Sequence, residues 1–213
     1  MQQEFSPSRF GVVWIALTNG NACMIELKFK TPGAWAEGIV KAMDVFLPDH
    51  AAAEKKASAM ALTMVAHYPD KPGLVSAMTD LALEELGHFR AVVKLMHERG
   101  LTLLPDEKDH YVNALRRNIR HGEPHYLMDR LLIAGIVEAR GAERFGLIAE
   151  ALPKGELKRF YQSITRSELA HKGLFLQLAR QYFDSAELRT RLDELLEAEA
   201  AVVSELPFRL ALH

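Results

Sequence analysis

The chain has 213 residues, of which 49% are hydrophobic and 25% are charged, and its formal net charge at pH 7 is −2. This length suits one domain with a substantial core, and the composition is that of a globular protein rather than a disordered or membrane-embedded one. The slight negative charge gives no global attraction to nucleic acid, so such binding would depend on a local basic patch. The single cysteine, Cys23, excludes an internal disulfide and a four-cysteine iron site, and it fits a reducing cytoplasm.

Residues 1–30 are expected to form a poorly defined N-terminal arm. The apolar stretch Phe10–Leu17 is the only candidate targeting signal, but it is short and Arg9 is the sole positive charge before it. Met24 could serve as an alternative start. No apolar run approaches the roughly 18–20 residues that a membrane span requires, so we expect no membrane association.

Helical spacing of apolar residues dominates the rest of the chain and predicts an all-α fold. We expect Pro48 to interrupt the first helix, Asp49 to cap the second and Pro207 to stop the last. The predicted helices span residues 31–48, 49–68, 73–100, 105–122, 124–153, 155–183 and 185–206. Two pairs of long helices joined by a connection over residues 100–124 match a ferritin-like four-helix bundle with one long crossover. The crossover carries an extra helix, additional helices lie towards the termini, the domain spans 31–206, and 207–213 form a tail.

Two short strings on these helices share a Glu-x-x-His pattern, Glu85-Leu-Gly-His88 and Glu168-Leu-Ala-His171. On a helix, side chains at positions i and i+3 point to the same side, so one metal ion can bind both. The two motifs are 83 residues apart (168−85). Such an offset supports two similar helical hairpins.

Each motif follows another glutamate by nearly the same interval, because Glu54 precedes Glu85 by 31 residues (85−54) and Glu138 precedes Glu168 by 30 (168−138). A glutamate from each of two helices plus Glu-x-x-His from each of the other two is the ligand set of a dinuclear carboxylate centre. The pattern therefore predicts six metal ligands: Glu54, Glu85, His88, Glu138, Glu168 and His171.

The neighbours of these glutamates indicate that all four face the core. The residues one heptad before and after them are apolar apart from one tyrosine. They are Leu47, Ala61, Met78, Val92, Leu131, Phe145, Tyr161 and Phe175. Burying four carboxylates without compensation would cost more free energy than the net stability of a domain. Two divalent cations would neutralise their charge. The ligand set suits iron or manganese, and a buried hydrogen-bonded network is the alternative.

Residues around the predicted ligands could support them. Glu84 lies four residues before His88 and could replace Glu85, but Ser167 at the equivalent place in the second motif favours Glu85. Glu84 would then orient a ligand histidine or lie at the surface, and His50 could join the outer shell. Small residues on the fourth long helix indicate either close helix packing or space for dioxygen and an apolar substrate tip, with Phe145 and Phe175 as walls.

Three further strings narrow the class: Lys30-Thr-Pro-Gly-Ala-Trp35, Leu47-Pro-Asp-His-Ala-Ala-Ala-Glu54 and Val137-Glu-Ala-Arg-Gly-Ala-Glu-Arg-Phe145. With the two Glu-x-x-His motifs, they resemble the bacterial tRNA methylthio-isopentenyladenosine hydroxylases over roughly residues 28–205. The resemblance implies an oxygen-dependent di-iron monooxygenase that hydroxylates the isopentenyl group of a modified adenosine beside the tRNA anticodon. It implies that the same six residues bind two iron ions, with dioxygen as co-substrate and a reductase or ferredoxin as electron donor.

An enzyme acting on tRNA should carry positive charge near its site. One basic stretch, Arg116, Arg117 and Arg120, lies in the predicted crossover. A second lies just before the second motif and includes Lys158 and Arg159, with Lys154 and Arg166 nearby. These residues could bind the anticodon arm or belong to solvated helix faces. Tyr126 or Tyr161 could stack an unpaired base or serve in packing.

Other functions share the same ligand set, because a fold does not fix a function. A quinone-biosynthesis hydroxylase would need an exposed apolar helix for membrane docking, which the sequence lacks. Manganese catalases usually carry extra segments. An iron-storage ferritin and a purely structural bundle remain as alternatives from other classes.

Overall fold

The computed structural model describes residues 24–213 and folds them into seven helices without a strand. The helices are α1 (Gly33–Lys41), α2 (Met43–His67), α3 (Pro72–Glu98), α4 (His110–Arg116), α5 (His125–Ala151), α6 (Glu156–Tyr182) and α7 (Ser185–Glu205). The predicted all-α fold is confirmed. The apolar stretch at residues 10–17 and Cys23 lie outside the described residues. No helix in the described part of the chain is long and apolar enough to cross a membrane.

Helices α2, α3, α5 and α6 form the four-helix bundle. Helix α2 packs along α3 and α5 packs along α6, each as an antiparallel hairpin with a short connection, and α3 and α6 also touch. The long connection between the hairpins carries α4, as predicted, and α7 packs on α4 and α5. The hairpins therefore bring the two Glu-x-x-His motifs together on α3 and α6.

Two predicted helix boundaries were wrong. The first helix ends at Lys41, with the break at Ala42, and Pro48 lies inside α2 rather than before it. Asp49 does not cap a helix, because its carboxylate accepts a hydrogen bond from the backbone of Leu212 at 2.7 Å. The crossover helix is also shorter than predicted, since its N-cap is Asp109, which accepts from Val112 N at 2.8 Å. At Pro48 and Asp49, tertiary contacts outweighed the local signal of a proline and a capping residue, whereas the crossover helix begins at a local cap that the prediction overlooked.

The apolar core is divided into two clusters by the layer that holds the four glutamates. On α2, the glutamate at position 54 separates Phe46 in one cluster from Met64 in the other. On α6, the glutamate at position 168 likewise separates Tyr161 from Phe175. On α3 and α5 the two clusters follow in the opposite order along the chain, as expected for antiparallel helices, so the polar layer crosses the middle of the bundle between two hydrophobic layers.

The chain segments outside the bundle are fixed to it by buried polar contacts. Arg140 on α5 is fully buried and donates to Glu199 on α7 and to the backbone oxygen of Phe29 at 3.0 Å. Ile25 and Leu27 also pack in the core. The domain limits at residues 31 and 206 stay predictions, while residues 25–29 and 209–213 contact the bundle.

Candidate metal centre and its access cavity

The six predicted ligands converge in the polar layer of the bundle. The four glutamates and His171 are at most 6% exposed, and the side chain of His88 is 19% exposed. Each glutamate is held in place by its helix, since the positions one heptad away pack into the two apolar clusters. Such concentrated burial of carboxylates needs compensating charge.

The ligand atoms fall into two overlapping groups, within each of which they lie no more than 4.8 Å apart. One group contains Glu54, Glu85, His88 and Glu168, and the other contains Glu85, Glu138, Glu168 and His171. Glu85 and Glu168 belong to both groups. This arrangement could hold two metal ions, with the two shared carboxylates as bridges and one glutamate and one histidine at each end.

The pKa values of the cluster reflect a concentration of buried negative charge, which favours bound protons or cations. Burial disfavours the charged form of His88, but the hydrogen bonds that its ring donates to Glu54 and Glu85 outweigh burial and raise the pKa of His88 to about 9. Burial opposes charge on His171 too, while contacts to carboxylates raise its pKa to about 12. Burial and the neighbouring Glu138 raise the pKa of Glu168 well above its usual range. In the absence of metal ions, bound protons therefore offset part of the negative charge that metal ions would neutralise.

Two atoms inside the cluster test the fit to a metal most directly. Glu85 Oε1 and His171 Nδ1 are buried and lie 2.8 Å apart, but neither forms a well-aligned hydrogen bond with any described residue. Buried polar atoms usually form such bonds, and both are ligand atoms of the kind that iron and manganese bind. The residues present therefore fit a dinuclear metal centre.

Polar contacts behind the cluster orient its members. His50 Nε2 lies 2.6 Å from Glu54 Oε1, and its Nδ1 lies 3.2 Å from the hydroxyl of Tyr161. On the other side, Glu84 reaches across from α3 to α6, with its Oε2 2.9 Å from Nε2 of His171. Glu84 thus supports the histidine of the opposite motif rather than that of its own. The sequence indicated outer positions for both residues but not this crossing.

A cavity of about 530 Å³ reaches the cluster from the surface between α2 and α5, beneath the crossover. Its inner end includes all four glutamates and Phe145. Its middle is lined by small and apolar side chains, namely Ala53, Ala57, Met60, Ile133, Ala134 and Val137. Gly141 leaves room beside the metal layer, because a Cβ there would lie 3.6 Å from Glu168 Oε2. Ala134 and Gly141 therefore contribute space, whereas Gly135 allows close packing, since a Cβ there would lie 2.7 Å from Ile25 Cδ1. Each of the two sequence interpretations thus holds for part of the helix.

The mouth of the cavity is lined by cationic and aromatic side chains, which are Lys56, His67, Lys108, Arg116, Tyr126, Arg130 and His213. Lys108 and Arg116 are exposed and have no hydrogen bond or ion pair within residues 24–213. Arg130 lies over the rings of Tyr68 and Tyr126. Of the basic residues proposed from the sequence, only Arg116 lines this cavity.

The other proposed basic residues lie elsewhere. Arg120 donates to the buried carboxylate of Asp129, which Arg191 also contacts, so it joins the crossover to α7. Lys158 donates to two backbone oxygens at the end of α5, of Glu150 and Leu152. Arg117 and Arg159 are exposed, and the latter is 4.0 Å from Glu156. Their roles in binding a substrate stay predictions, and Arg120 has a structural role that was not foreseen.

The aromatic residues proposed from the sequence also lie in different places relative to the cavity. Phe145 lines the cavity, whereas Phe175 is buried against Gly135, at 3.4 Å from a Cβ built there, and does not line it. Tyr126 lies at the mouth. Tyr161 is fully buried in the core, which is incompatible with stacking on an unpaired base.

Several residues of the mouth were missed by the sequence interpretation, namely Lys56, Lys108, Asp109, Arg130 and His213. They come from four separate parts of the chain and meet only because the crossover and residues 209–213 fold over the α2–α5 groove. Their spacing along the sequence carries no periodic signal. A search for cations near the predicted crossover could have found Lys108.

The fold and the carboxylate cluster define a ferritin-like oxygenase class. A solved structure named "Protein 43 with aldehyde deformylating oxygenase activity from Synechococcus" is similar, with a TM-score of 0.82 and 36% identity over 88% of this chain and 94% of that one. The ligand layer described above is the site expected of this class.

Sequence comparison then narrows the class. Residues 21–213 match the family described as tRNA-(MS[2]IO[6]A)-hydroxylase (MiaE). A tRNA 2-(methylsulfanyl)-N(6)-isopentenyladenosine(37) hydroxylase from Pseudomonas putida is 36% identical over 86% of this chain and 89% of its own length. One of the same name from Salmonella typhimurium is 31% identical over 73% of this chain, and the match spans 57% of its own length. The chain belongs to the MiaE family, which confirms the resemblance of its motifs.

Proposed function

We propose that this protein hydroxylates the isopentenyl group of 2-methylthio-N(6)-isopentenyladenosine beside the anticodon of tRNA. Two iron ions, held by the six residues of the cluster, would serve as the cofactor, with dioxygen as co-substrate. The family and its tRNA-modifying relatives support the substrate class. The carboxylate-rich cluster supports iron, with manganese as the less favoured metal. A tRNA substrate implies a cytoplasmic reaction.

The observation that carries this proposal is the cavity that joins the cluster to a cationic mouth. Its apolar middle suits a branched five-carbon chain, and its inner end brings the tip of such a chain to the glutamates. Its mouth offers Lys108 and Arg116 to phosphates and Tyr126 to a base. Iron storage does not require a cavity of this kind. A base that carries an apolar tail requires both its apolar middle and its cationic mouth.

The residues divide the chemistry between holding the metals and positioning the substrate. Bound iron supplies the oxidising power, drawn from dioxygen, that an unactivated C–H bond requires. Inserting one oxygen atom consumes two electrons and two protons, and the second oxygen atom leaves as water. The electrons would come from a separate reductase or ferredoxin. The apolar walls would exclude bulk water, and Phe145 and Gly141 would fix how closely the isopentenyl tip approaches the cluster.

The direct test incubates the iron-loaded protein with dioxygen, a chemical reductant and tRNA that carries the isopentenyl modification. Mass spectrometry of the digested nucleosides should show one added oxygen atom on the modified adenosine. Protein loaded with manganese and a long-chain aldehyde offered instead of tRNA provide the two matched comparisons. An unchanged nucleoside pool together with turnover of the aldehyde would contradict the proposal and favour the activity named for the Synechococcus protein.

The cationic mouth can be tested apart from the chemistry. We expect Lys108→Gln with Arg116→Gln to weaken tRNA binding and to reduce the slope of log K against log salt by about 1.4–1.8, or 0.7–0.9 for each lost phosphate contact. Lys94→Gln is the matched control, since Lys94 is 80% exposed on α3 and does not line the cavity. An unchanged salt slope in the double variant would place the tRNA backbone on another surface, such as the one near Arg159.

A further inference from the structure

A second, smaller cavity of about 410 Å³ lies beside residues 209–213. Its walls come from α1, α4, α5 and α7, together with the chain segments around residues 29–32 and 206–213. His213 borders both cavities, but the smaller one touches none of the six candidate metal ligands. Its volume lies within the range of sites that bind small molecules. A role for this cavity is therefore independent of the proposed hydroxylation.

The charged side chains that line the smaller cavity are basic. Most of the lining is apolar or aromatic, and Trp35 is buried in the wall. The lining includes no aspartate or glutamate of residues 24–213, whereas the access cavity ends at four glutamates. The basic side chains are Arg144, Arg209, His110 and His213. An organic anion should therefore favour the smaller cavity over the larger one.

Arg144 on α5 is the buried cation of this cavity. Only 8% of the residue is exposed, and its guanidinium carbon lies 5.1 Å from the centre of the Trp35 ring. Its Nη1 donates to the backbone oxygen of Leu212, and its Nε lies 3.4 Å from Thr31 Oγ1. Nη2 has no hydrogen-bond partner within residues 24–213 and is not fully enclosed by protein, so its accessible surface faces the cavity that Arg144 lines. One donor of a buried cation is thus available to a ligand.

The positive charge of Arg144 has no ion-pair partner in the part of the chain that the structure describes. Glu143 and Glu199 are the acidic side chains that act on it, and both are paired with Arg140. Burial and the neighbouring Arg140 lower the pKa of Arg144. A buried cation without a counter-ion is unfavourable, and an anion bound in the cavity would offset that cost.

We propose that the smaller cavity binds an organic monocarboxylate, whose carboxylate accepts a hydrogen bond from Arg144 Nη2 and whose apolar body lies against Trp35 and Phe208. One unpaired guanidinium matches one negative charge, which favours a carboxylate over a phosphate monoester with its charge of about −1.5 to −2. Arg209 supplies no second unpaired charge, because it lies 3.2 Å from the carboxylate of Glu107. The apolar walls require a body that fills them, so an anion as small as acetate should bind poorly.

The test measures binding to the metal-loaded protein by calorimetry, with phenylbutyrate and with phenylbutyramide, its neutral analogue of nearly the same shape. Phenylbutyrate should bind at one site per chain and about tenfold more tightly than the amide, the effect of one charge-assisted hydrogen bond. This comparison requires no substitution and so does not depend on the folding of a variant. Equal affinities, or no binding of either compound, would overturn the inference. Tighter binding of phenylpropyl phosphate would overturn the choice of a carboxylate.

Two variants locate the probe in one cavity or the other. Ser204 is exposed on α7 at the wall of the smaller cavity, so Ser204→Trp should fill part of that cavity and abolish phenylbutyrate binding. Ala57→Trp narrows the larger cavity instead and is the matched control, with unchanged affinity as the expected result. The opposite pattern would place the probe in the access cavity and overturn the inference.

Arg144→Gln tests the anchoring charge itself. Glutamine can still donate to the backbone of Leu212 but is neutral, so the preference for the carboxylate over the amide should disappear while the affinity for the amide remains. Arg209→Gln removes a more exposed arginine from the same wall and should retain the preference. Melting temperatures show whether both variants fold, and the two compounds with Ser204→Trp decide the question if Arg144→Gln does not. A preference retained in folded Arg144→Gln would overturn the inference.

Discussion

The two helical hairpins of the bundle provide equivalent ligands but unequal surroundings. In the α5–α6 hairpin, His171 is 3% exposed and its outer nitrogen faces the carboxylate of Glu84 from the other hairpin. In the α2–α3 hairpin, His88 is more exposed, and no described carboxylate contacts its outer nitrogen. Its partner Glu54 is instead supported by the buried His50. A repeated ligand motif can therefore provide two candidate metal positions whose histidines differ in their polar partners and in their access to solvent.

The largest expected effect comes from removing one end of the centre. Glu138→Ala should abolish stable binding of one metal ion and lower hydroxylation at least ~100-fold, because the ion provides several kcal/mol of transition-state stabilisation. Glu150→Ala is the matched control, since Glu150 is exposed on the same helix. Metal analysis and nucleoside mass spectrometry measure both properties. Two ions per chain retained in Glu138→Ala would remove Glu138 from the ligand set.

The next largest effect should come from the different polar partners of the two ligand histidines. Glu84→Ala should weaken binding at the His171 side by about 10–100-fold, because partners of a ligand histidine orient it and raise its basicity. Ser167→Ala is the control, since Ser167 Oγ lies 3.4 Å from the same nitrogen but carries no charge. Titration with Fe(II) should then show one weakened site and one unchanged site. Equal weakening of both sites would mean that Glu84 acts through the shared carboxylates.

The pH dependence of the metal-free protein follows from the raised pKa values in the cluster. Protonated His88 and His171 contribute stability that is complete below their unfolded pKa of about 6.5 and is lost as the pH rises towards 9 and 12. Ionising Glu168 has the same sign, because its folded pKa is raised as well. Tm should therefore fall by roughly 5 °C or more between pH 6.5 and 9.

Metal loading should largely remove this pH dependence, since both histidines then bind without their protons. Calorimetry in buffers of different ionisation enthalpy should show that metal binding near pH 7 releases protons. A metal-free protein that is as stable at pH 9 as at pH 6.5 would contradict the charge assignment of the cluster.

The smallest effect concerns the support behind Glu54. Tyr161→Phe removes the hydroxyl that lies 3.2 Å from His50 Nδ1 and keeps the buried ring in place. We expect a loss of about 1 kcal/mol in the free energy of unfolding, typical of one hydrogen bond, with little change in metal content. Tyr126→Phe at the cavity mouth is the comparison, and chemical denaturation measures both. A loss of metal in Tyr161→Phe would show that this hydrogen bond orients the ligand as well as stabilising the fold.

The sequence predicted the bundle and the clustering of its six polar residues because both follow from helical periodicity. A glutamate in an apolar stripe must face the core, and a histidine three residues later shares its side of the helix. Helix boundaries were less predictable. Pro48 lies within α2, where the segment is buried and Asp49 contacts Leu212. Both the burial and this contact depend on distant parts of the chain. Local rules for proline and capping residues contain no information about such partners.

The mouth of the cavity could not be predicted for the same reason. Arg116 and Arg120 lie four residues apart and look alike in the sequence, yet the first lines the mouth while the second is fixed to the buried Asp129. His213 reaches the cavity only through the path of residues 209–213 over the bundle. Charge and spacing identify candidate cations, but their roles depend on tertiary contacts.

The most direct test of the dinuclear centre is anomalous diffraction from crystals loaded with Fe(II) without oxygen, combined with the metal content of the same preparation. We expect two iron ions per chain, one near Glu54 and His88 and the other near Glu138 and His171, with Glu85 and Glu168 contacting both. A single ion, or iron bound elsewhere while these six residues contact only one another, would contradict it.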